Sequence, residues 1–320
     1  MKFFKPKNTW LFSAKNIKIT GDILEAELYH QGSWYYNKIQ LHPILFNRNL
    51  INNNGILHYK LPKQIQFEVM DKLFKKYDGE NIPFVPIKKI IMLSVSLPKY
   101  DKTRNETISI LNQYNLPPIS VYFGYTKQNE HTSKFYDFMY NKNQSNFYTL
   151  GMLEIFENFV NQSKENNEWF LYVEDDVRPI NINPSQDLTK LYNVPVDAEL
   201  IRPYMGKNEA CDITQLKYRI SYGGGNNHAF YISTSGCKKV LNYAKKYKWK
   251  YICDIDIYKL AKYCGGYPTA YDQWNLIACN RNNDITEKLL EDEKINMYQL
   301  SHVIFDQTSN PLIGYYNDLL

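Results

Sequence analysis

The chain reads as an α/β protein: a mixed, mostly parallel sheet with flanking helices, preceded by a small all-β unit. Three observations carry that reading. From residue 86 onward, apolar runs of strand length alternate with stretches of helical periodicity. One such run, 169-WFLYVEDDVRP-179, passes from Trp169, Phe170, Leu171, Tyr172 and Val173 straight into three carboxylates, Glu174, Asp175 and Asp176. Before residue 62 the texture differs, with short alternating segments separated by Gly and Asn.

The β unit, residues 1–62, shows alternation in 17-IKITGDILEAEL-28, with Gly21-Asp22 as a turn signal, and again in 34-WYYNKIQL-41. The polar turn Asn52-Asn53-Asn54-Gly55 leads into 56-ILHYK-60. Pro62, Pro83 and Pro86 bracket a weakly helical stretch, 64-QIQFEVMDKLFKKY-77, so residues 63–85 read as a linker and 86–320 as the larger domain. That domain opens with a buried strand, 89-KIIMLSVSL-97, and a helix over 101–114 with Asp101 as its N-cap. A second strand, 118-PISVYFGY-125, and a helix over 150–165, with Leu153, Phe156 and Val160 on one face, lead to the acidic strand. Next come a strand ending near Thr234, a helix begun by Ser235-Gly236, a helix over 251–264, and a last apolar strand, 298-YQLSHVIF-305.

Composition bounds the partners. Hydrophobic residues make up 44% and charged residues 22% of the 320, ordinary values for a globular chain. The net charge of +5 is spread along the sequence rather than gathered on a stripe, which argues against nucleic-acid binding. The 28 Tyr and 16 Phe fit a low-GC genome as well as any binding chemistry. Five cysteines without CxxC spacing indicate neither a disulfide framework nor a zinc site. The N-terminus lacks the continuous apolar core of a secretory signal, and no window approaches the roughly 18 apolar residues of a membrane span. A cytoplasmic setting, in a cell or in an infected one, is the expectation.

The acidic strand end is the chemical signal. Three adjacent carboxylates repel one another, the more so beside a packed sheet. A divalent cation offsets that repulsion. Oxygen ligands suit Mg²⁺ or Mn²⁺, which take one or two protein carboxylates and complete their shell with water and phosphates. Glu174 and Asp176 share one side of an extended segment, and Asp175 faces away unless the chain turns. The alternative is an acidic strand-to-loop junction facing water. Ligands of such sheets collect at the carboxyl ends of strands, where these residues lie.

LYVEDDV resembles the metal-binding DxD-type element of GT-A glycosyltransferases, in particular family 25, the lipopolysaccharide and collagen galactosyltransferase group. Residues 89–108 resemble that family's first strand, loop and helix, with Arg104 as the counterpart of its arginine. Residues 228-HAFYISTSGCKKVL-241 resemble its AYxxSxxGAxKLL element, and 255-IDIYKL-260 its VDxxL element. The family's Ser-His pair before the metal strand is missing; Gly151, Met152, Leu153 and Glu154 stand there. The segment between Pro179 and Tyr222 aligns with nothing in the family.

The resemblance implies a nucleotide-diphospho-sugar transferase fold and a metal-dependent transfer of a hexose from a UDP-sugar, galactose or glucose, to a glycan or glycoprotein. Asp176 would be the direct metal ligand, Glu174 would assist it or contact the donor ribose, and Asp175 would support metal or donor. Ser94 and Ser96 would border the base, and His302 would be a third metal ligand. The loop Gly223 to His228 would let backbone approach the donor sugar, although it lacks P-loop spacing. An inverting transferase needs a carboxylate base; Asp256 and Asp254 are the candidates, with helix capping as the competing role for Asp254. Each of these residues also has an ordinary structural reading. A catalytically silent glycan-binding protein on the same fold is the alternative, motivated by the missing Ser-His pair.

Residues 12–60 resemble one repeat of the cyanovirin-N-like lectins. Asn16-Ile17, Gly21, Leu24, Ala26, Ile39, Leu41, Gly55 and Tyr59 are in register, with Ala14 and Leu28 at the places of that family's cysteines. A lone repeat of about 50 residues buries too little surface to stand alone, so it packs on the larger domain or pairs with another chain as a homodimer.

Overall fold

The computed structural model describes residues 9–21, 23–40, 50–53, 56–59, 76–126, 128–139, 146–165, 167–203, 207, 209–221, 228–249, 257, 260–262 and 289–307. Among them are three α-helices and fifteen strands, giving a mixed α/β protein in which a small all-β sheet precedes a larger mixed one.

The small sheet is formed by β1 (Ala14–Thr20), β2 (Ile23–His30) and β3 (Ser33–Gln40), all antiparallel. Its turns follow from the residues that make them. Gly21 has φ 64°, and Gln31 and Gly32 have φ 46° and 83°, the paired positive values of a tight hairpin whose twist matches that of its strands. Alternation along β2 buries Leu24, Ala26 and Leu28 against Trp10, Leu50 and Leu57. Leu50 and Leu57 come from a second hairpin, β4 (Leu50–Asn53) and β5 (Ile56–Tyr59). Buried Asn37 ties the two together by accepting from Leu57 N–H at 2.9 Å.

The large sheet has eight strands: β6 (Asn81–Val95), β7 (Ile119–Gly124), β8 (Trp169–Glu174), β10 (Lys190–Pro195), β11 (Leu200–Arg202), β12 (Tyr218–Ile220), β13 (Ala229–Ser233) and β14 (Met297–Leu300). Their spatial order is β10-β6-β8-β13-β11-β14-β12, with β7 also beside β6. Helix α1 (Pro98–Leu111) connects β6 to β7, and α2 (Asn146–Gln162) connects β7 to β8. Both connections return the chain in the same direction, so β7, β6 and β8 are parallel. Helix α3 (Thr234–Tyr247) follows β13.

Alternation along β8 sends Phe170 and Tyr172 into a core shared with α2 and α3, and Leu171 and Val173 into the core beneath α1. The sheet is therefore covered on both faces, which explains why β8 is a continuous apolar run rather than an alternating one.

Several expectations change. The sheet is mixed, as expected, but it is not mostly parallel. Three of its seven pairings are parallel, because β13 enters antiparallel to β8, and β10 and β12 pair antiparallel with β6 and β14. The strand expected over 89–97 begins at Asn81, so residues 81–85, read as linker, are strand paired with β10. Pro83 is tolerated there because its cross-strand position, opposite Asn193, is the one missing from the ladder, and Asn193 has φ 54°.

Asp101 is not the N-cap of α1. Pro98, with its preset φ, starts the helix and Leu97 is its N-cap, while Asp101 instead pairs with Arg104. Helix α3 is capped by Ser233, whose Oγ accepts from Gly236 N–H at 3.1 Å. The last strand is two: β14, and β15 (Phe305–Gln307), which pairs with β9 (Val177–Pro179). Most of the helices expected over 64–77 and 251–264 lies outside the described residues.

Candidate functional site

The order β7-β6-β8 means that the chain moves from β6 to one side, then crosses back to the other. The reversal falls between β6 and β8, and in sheets of this kind the crevice at the carboxyl ends of such a strand pair is where ligands bind. Ser94 lies near the end of β6, and Glu174 closes β8. The acidic triplet therefore stands at the switch point.

The three carboxylates have three environments, because the chain turns at Asp175-Asp176 between β8 and β9. Asp175 is 6% exposed and accepts from Ser94 Oγ at 2.6 Å, while Thr107 Oγ1 of α1 donates to its carbonyl at 2.7 Å. Ser94 in turn accepts from Arg104 Nη1 at 3.3 Å, and the same guanidinium meets Asp101 at 2.5 Å and lies 4.9 Å from the Phe123 ring. Burial raises the Asp175 carboxyl above its usual range, opposed by the Ser94 hydrogen bond and by Arg104. Asp175 is thus a tether that fixes the turn against β6 and α1.

Asp176 is the unsatisfied member. Its Oδ1 is buried with no hydrogen-bond partner. Burial, then the charge of Asp175, push its carboxyl up to about 6, with Gln307 opposing by hydrogen bond and Asp306 adding to the rise. Glu174 is half-buried; Gln307 Nε2 donates to its Oε2 at 3.4 Å, and its backbone N–H donates to His228 O at 2.9 Å. Burial, followed by the charges of Glu174, Asp175 and Asp176, raises the phenol of Tyr148 in α2 strongly.

An orphaned buried carboxylate oxygen beside two further acids is what a hard divalent cation would offset. Among the described residues no three His, Cys, Asp or Glu side chains form a group able to hold a metal. An ion here would draw on one or two carboxylates, Asp176 and Glu174, and complete its shell from water or phosphate. That is the Mg²⁺ and Mn²⁺ pattern, and the residues fit it.

Of the other expected site residues, Ser94 and Arg104 join the acidic turn through Asp175, and Ser96 is exposed in the bend that follows β6. His228 is 2% exposed at the entry to β13, and burial with the neighbouring Arg202 charge lowers its imidazole to about 3, so it is neutral. His302 contacts Ser301 Oγ at 3.0 Å and Glu209 at 3.4 Å and does not form a common group with the acids. Asp254, Asp256 and the Gly223–Asn227 loop lie outside the described residues. Thr107, Tyr148 and Gln307 are the members that sequence reasoning missed. Thr107, one helical turn beyond Arg104, carried a signal; Tyr148 and Gln307 depend on packing between distant segments.

Where the missing Ser-His pair would stand, Glu154 is engaged: Tyr122 donates to Oε2, and Tyr125 and Ser133 donate to Oε1 at 2.5 and 2.8 Å. This carboxylate ties Tyr122, Tyr125 and Ser133 to α2. No protein-family model and no curated protein sequence matches the chain.

Proposed function

We propose that this chain is a metal-dependent, GT-A-type glycosyltransferase resembling family 25, which moves a hexose from UDP-galactose or UDP-glucose to a glycan or glycoprotein, with inversion. The observation that carries the reading is the partnerless, buried Asp176 Oδ1 at the switch point of the parallel strands. Asp176 and Glu174 hold the cation, while Asp175, locked by Ser94 and Thr107, keeps the turn in place. When bound, Mn²⁺ or Mg²⁺ neutralises the diphosphate that leaves as the glycosidic bond breaks. The base that takes the acceptor proton is a carboxylate, for which Asp256 and Asp254 remain the candidates.

Calorimetry with UDP tests this directly. Binding should require Mn²⁺ and weaken at least tenfold in Asp176→Asn. A protein that ignores UDP and UDP-sugars with and without Mn²⁺ is not this enzyme.

One observation favours a second reading, a silent glycan-binding protein. Glu154, which stands where the family's Ser-His pair would be, is committed to Tyr122, Tyr125 and Ser133 and is not free to act on a substrate. UDP release from a donor panel separates the two: turnover marks the enzyme, and metal-dependent UDP binding without release marks the silent form.

A further inference from the structure

The chain leaving β9 and the chain entering the 3₁₀ turn at Ile213–Gln215 meet around a cavity of about 570 Å³, lined by residues 181–183, 186 and 210–212. That volume is in the range of small-molecule sites. The walls are cross-linked without any ligand. Cys211 N–H donates to Asn181 O at 2.8 Å, Gln186 Nε2 donates to Cys211 O at 3.1 Å, and Gln186 Oε1 accepts from Ile213 N–H at 3.3 Å. Asn181 Nδ2 donates to Val303 O at 2.8 Å, and its backbone is held left-handed, φ 59°, a strained setting for a residue with a Cβ. A side-chain amide bonded at both ends keeps the two segments apart, so little ordering remains for binding to impose.

The lining selects among ligands. Asn183 Oδ1 is taken by Ser185, whose N–H and Oγ donate to it at 3.0 and 2.9 Å, and Nδ2 is left as a donor with no partner among the described residues. Asp212 Oδ1 accepts from Thr214 N–H and Oγ1 at 2.9 and 2.8 Å, bonds that hold its carboxyl below the usual range and keep it ionised. Its Oδ2 meets only Gln215, at a long 3.4 Å. Buried Ile182, with Ala210 and half-buried Cys211, gives an apolar wall. No Lys, Arg or His is among the lining residues, and the charges of Asp212 and Glu209 add to burial in raising the Cys211 thiol. An anion is therefore repelled. A cation gains little from one exposed carboxylate that is already hydrogen-bonded. A hydroxyl both donates and accepts, so a hydroxylated ring can donate to Asp212 Oδ2, accept from Asn183 Nδ2 and lay its C–H face on the apolar wall.

We infer that the cavity between residues 181–186 and 210–212 is a binding site for a neutral sugar ring, held by Asn183 and Asp212. It is separate from the acidic turn. None of the three acids lines it, and Asn181 follows Asp176 by five residues, a span of at most about 17 Å of extended chain. The inference does not rest on reading that turn as a donor site. If the turn does hold a sugar nucleotide, the cavity gives a glycan acceptor a second point of attachment, at the other end of β9 from the acids. If it does not, the chain still holds glycan here.

The test titrates the full chain, in chelator-treated buffer, with galactose, glucose, N-acetylglucosamine, glucuronate and putrescine, read by calorimetry or ligand-detected NMR. At least one neutral sugar should bind fivefold or more tightly than both glucuronate and putrescine. At saturation the same sugar should slow alkylation of Cys211, followed by peptide mass spectrometry, at least threefold. Two variants keep the local turns intact. Asn183→Asp retains the oxygen that Ser185 uses and loses the free amide, and Asp212→Asn retains the oxygen that Thr214 uses and loses the charge. Each should lower sugar affinity at least fivefold while its urea midpoint stays near the parent's. Absence of sugar binding, or glucuronate or putrescine binding as tightly as every neutral sugar, overturns the site. So does sugar binding that neither shields Cys211 nor weakens in the two variants, since the sugar then lies elsewhere on the chain. Mn²⁺-dependent UDP binding, measured on the same protein, reports on the acidic turn alone, so either site can fail without the other.

Discussion

Asp176 and His228 show how two neighbouring groups can carry opposite pH dependence. Asp176 has its carboxyl raised to about 6 in the folded protein, so the fold takes up its proton before the unfolded chain does. Its contribution is destabilising above that value and is relieved as pH falls through 6. His228, lowered to about 3, behaves in reverse: the unfolded chain takes the proton first, and stability is lost as pH falls below the ordinary imidazole value. Asp175 and Asp306, both raised by burial, act in the sense of Asp176. In metal-free protein these effects oppose each other between pH 7 and 5. Asp176→Asn removes one of them, so its urea midpoint should fall more steeply with acid than the parent's, by about 1 kcal/mol across that interval. The variant should also be the more stable at pH 7, by roughly 1–3 kcal/mol, since it no longer buries a charge. Identical pH profiles for the two proteins would mean that Asp176 is solvated. The place of the acids was legible in the sequence, because an apolar run ending in three carboxylates marks a strand end. Their division of labour was not, since it depends on the turn at Asp175-Asp176, which points Asp175 at Ser94 and strands Asp176 Oδ1.

At the level of elements, β6, α1, β7, α2 and β8 were readable because each has its own period and the two helices impose parallel return. The strand and helix at Ala229–Tyr247 were readable too, but the short strands between Val177 and Ile220, and the way the strands pair, were not. β13 lies antiparallel to β8, and Arg202, Gln299 and Arg219 meet only through strand register between segments far apart in the chain. No local pattern encodes that. Helix α2 illustrates a contact that sequence hides. A Cβ on Gly151 would stand 2.7 Å from Leu93 Cδ1 and 3.4 Å from Gly124 Cα, so the helix lies close against β6 and β7 because glycine faces glycine. That closeness helps carry Tyr148, a turn earlier in α2, to the acidic turn. Gly151→Ala gains helix propensity worth about 1 kcal/mol, but overpacking costs roughly 1–3 kcal/mol. The Leu93 side chain can yield, whereas the Gly124 backbone is held in β7. A net loss of about 1 kcal/mol in urea denaturation is expected, with weaker Mn²⁺-dependent UDP binding as Tyr148 shifts. A more stable variant would show that the helix can move away freely.

At the scale of the whole molecule, the small sheet presents a cluster of exposed aromatic side chains. The small sheet uses one face for its core, and the other presents Tyr29, Trp34 and Tyr36, which are 47%, 44% and 53% exposed. Tyr29 and Trp34 lie 5.2 Å apart, Lys15 Nζ sits 4.1 Å above the indole, and Tyr36 donates to Glu25 at 2.7 Å. Ala14 and Leu28, which stand where the lectin-like repeat would carry cysteines, are cross-strand partners, and Leu28 is fully buried. Apolar packing therefore fills that position. A core built chiefly on Trp10, Leu24, Ala26, Leu28, Leu50 and Leu57 is small, and the three exposed aromatics lie outside it. Rigid rings rimmed by carboxylates and a lysine suit a glycan, with the apolar sugar face on the indole and its hydroxyls on Glu25 and Glu27. They suit a second copy of the chain equally well, and the two occupants leave different traces. Trp34→Ala is a surface change that should move stability by less than about 0.5 kcal/mol. If the face holds glycan, the variant should lose at least fivefold in binding on a glycan array while its sedimentation is unchanged. If it holds another copy, sedimentation should shift from dimer to monomer and the array signal, if any, should persist. Should neither measurement move, these aromatics are ordinary surface and the unit binds nothing through them.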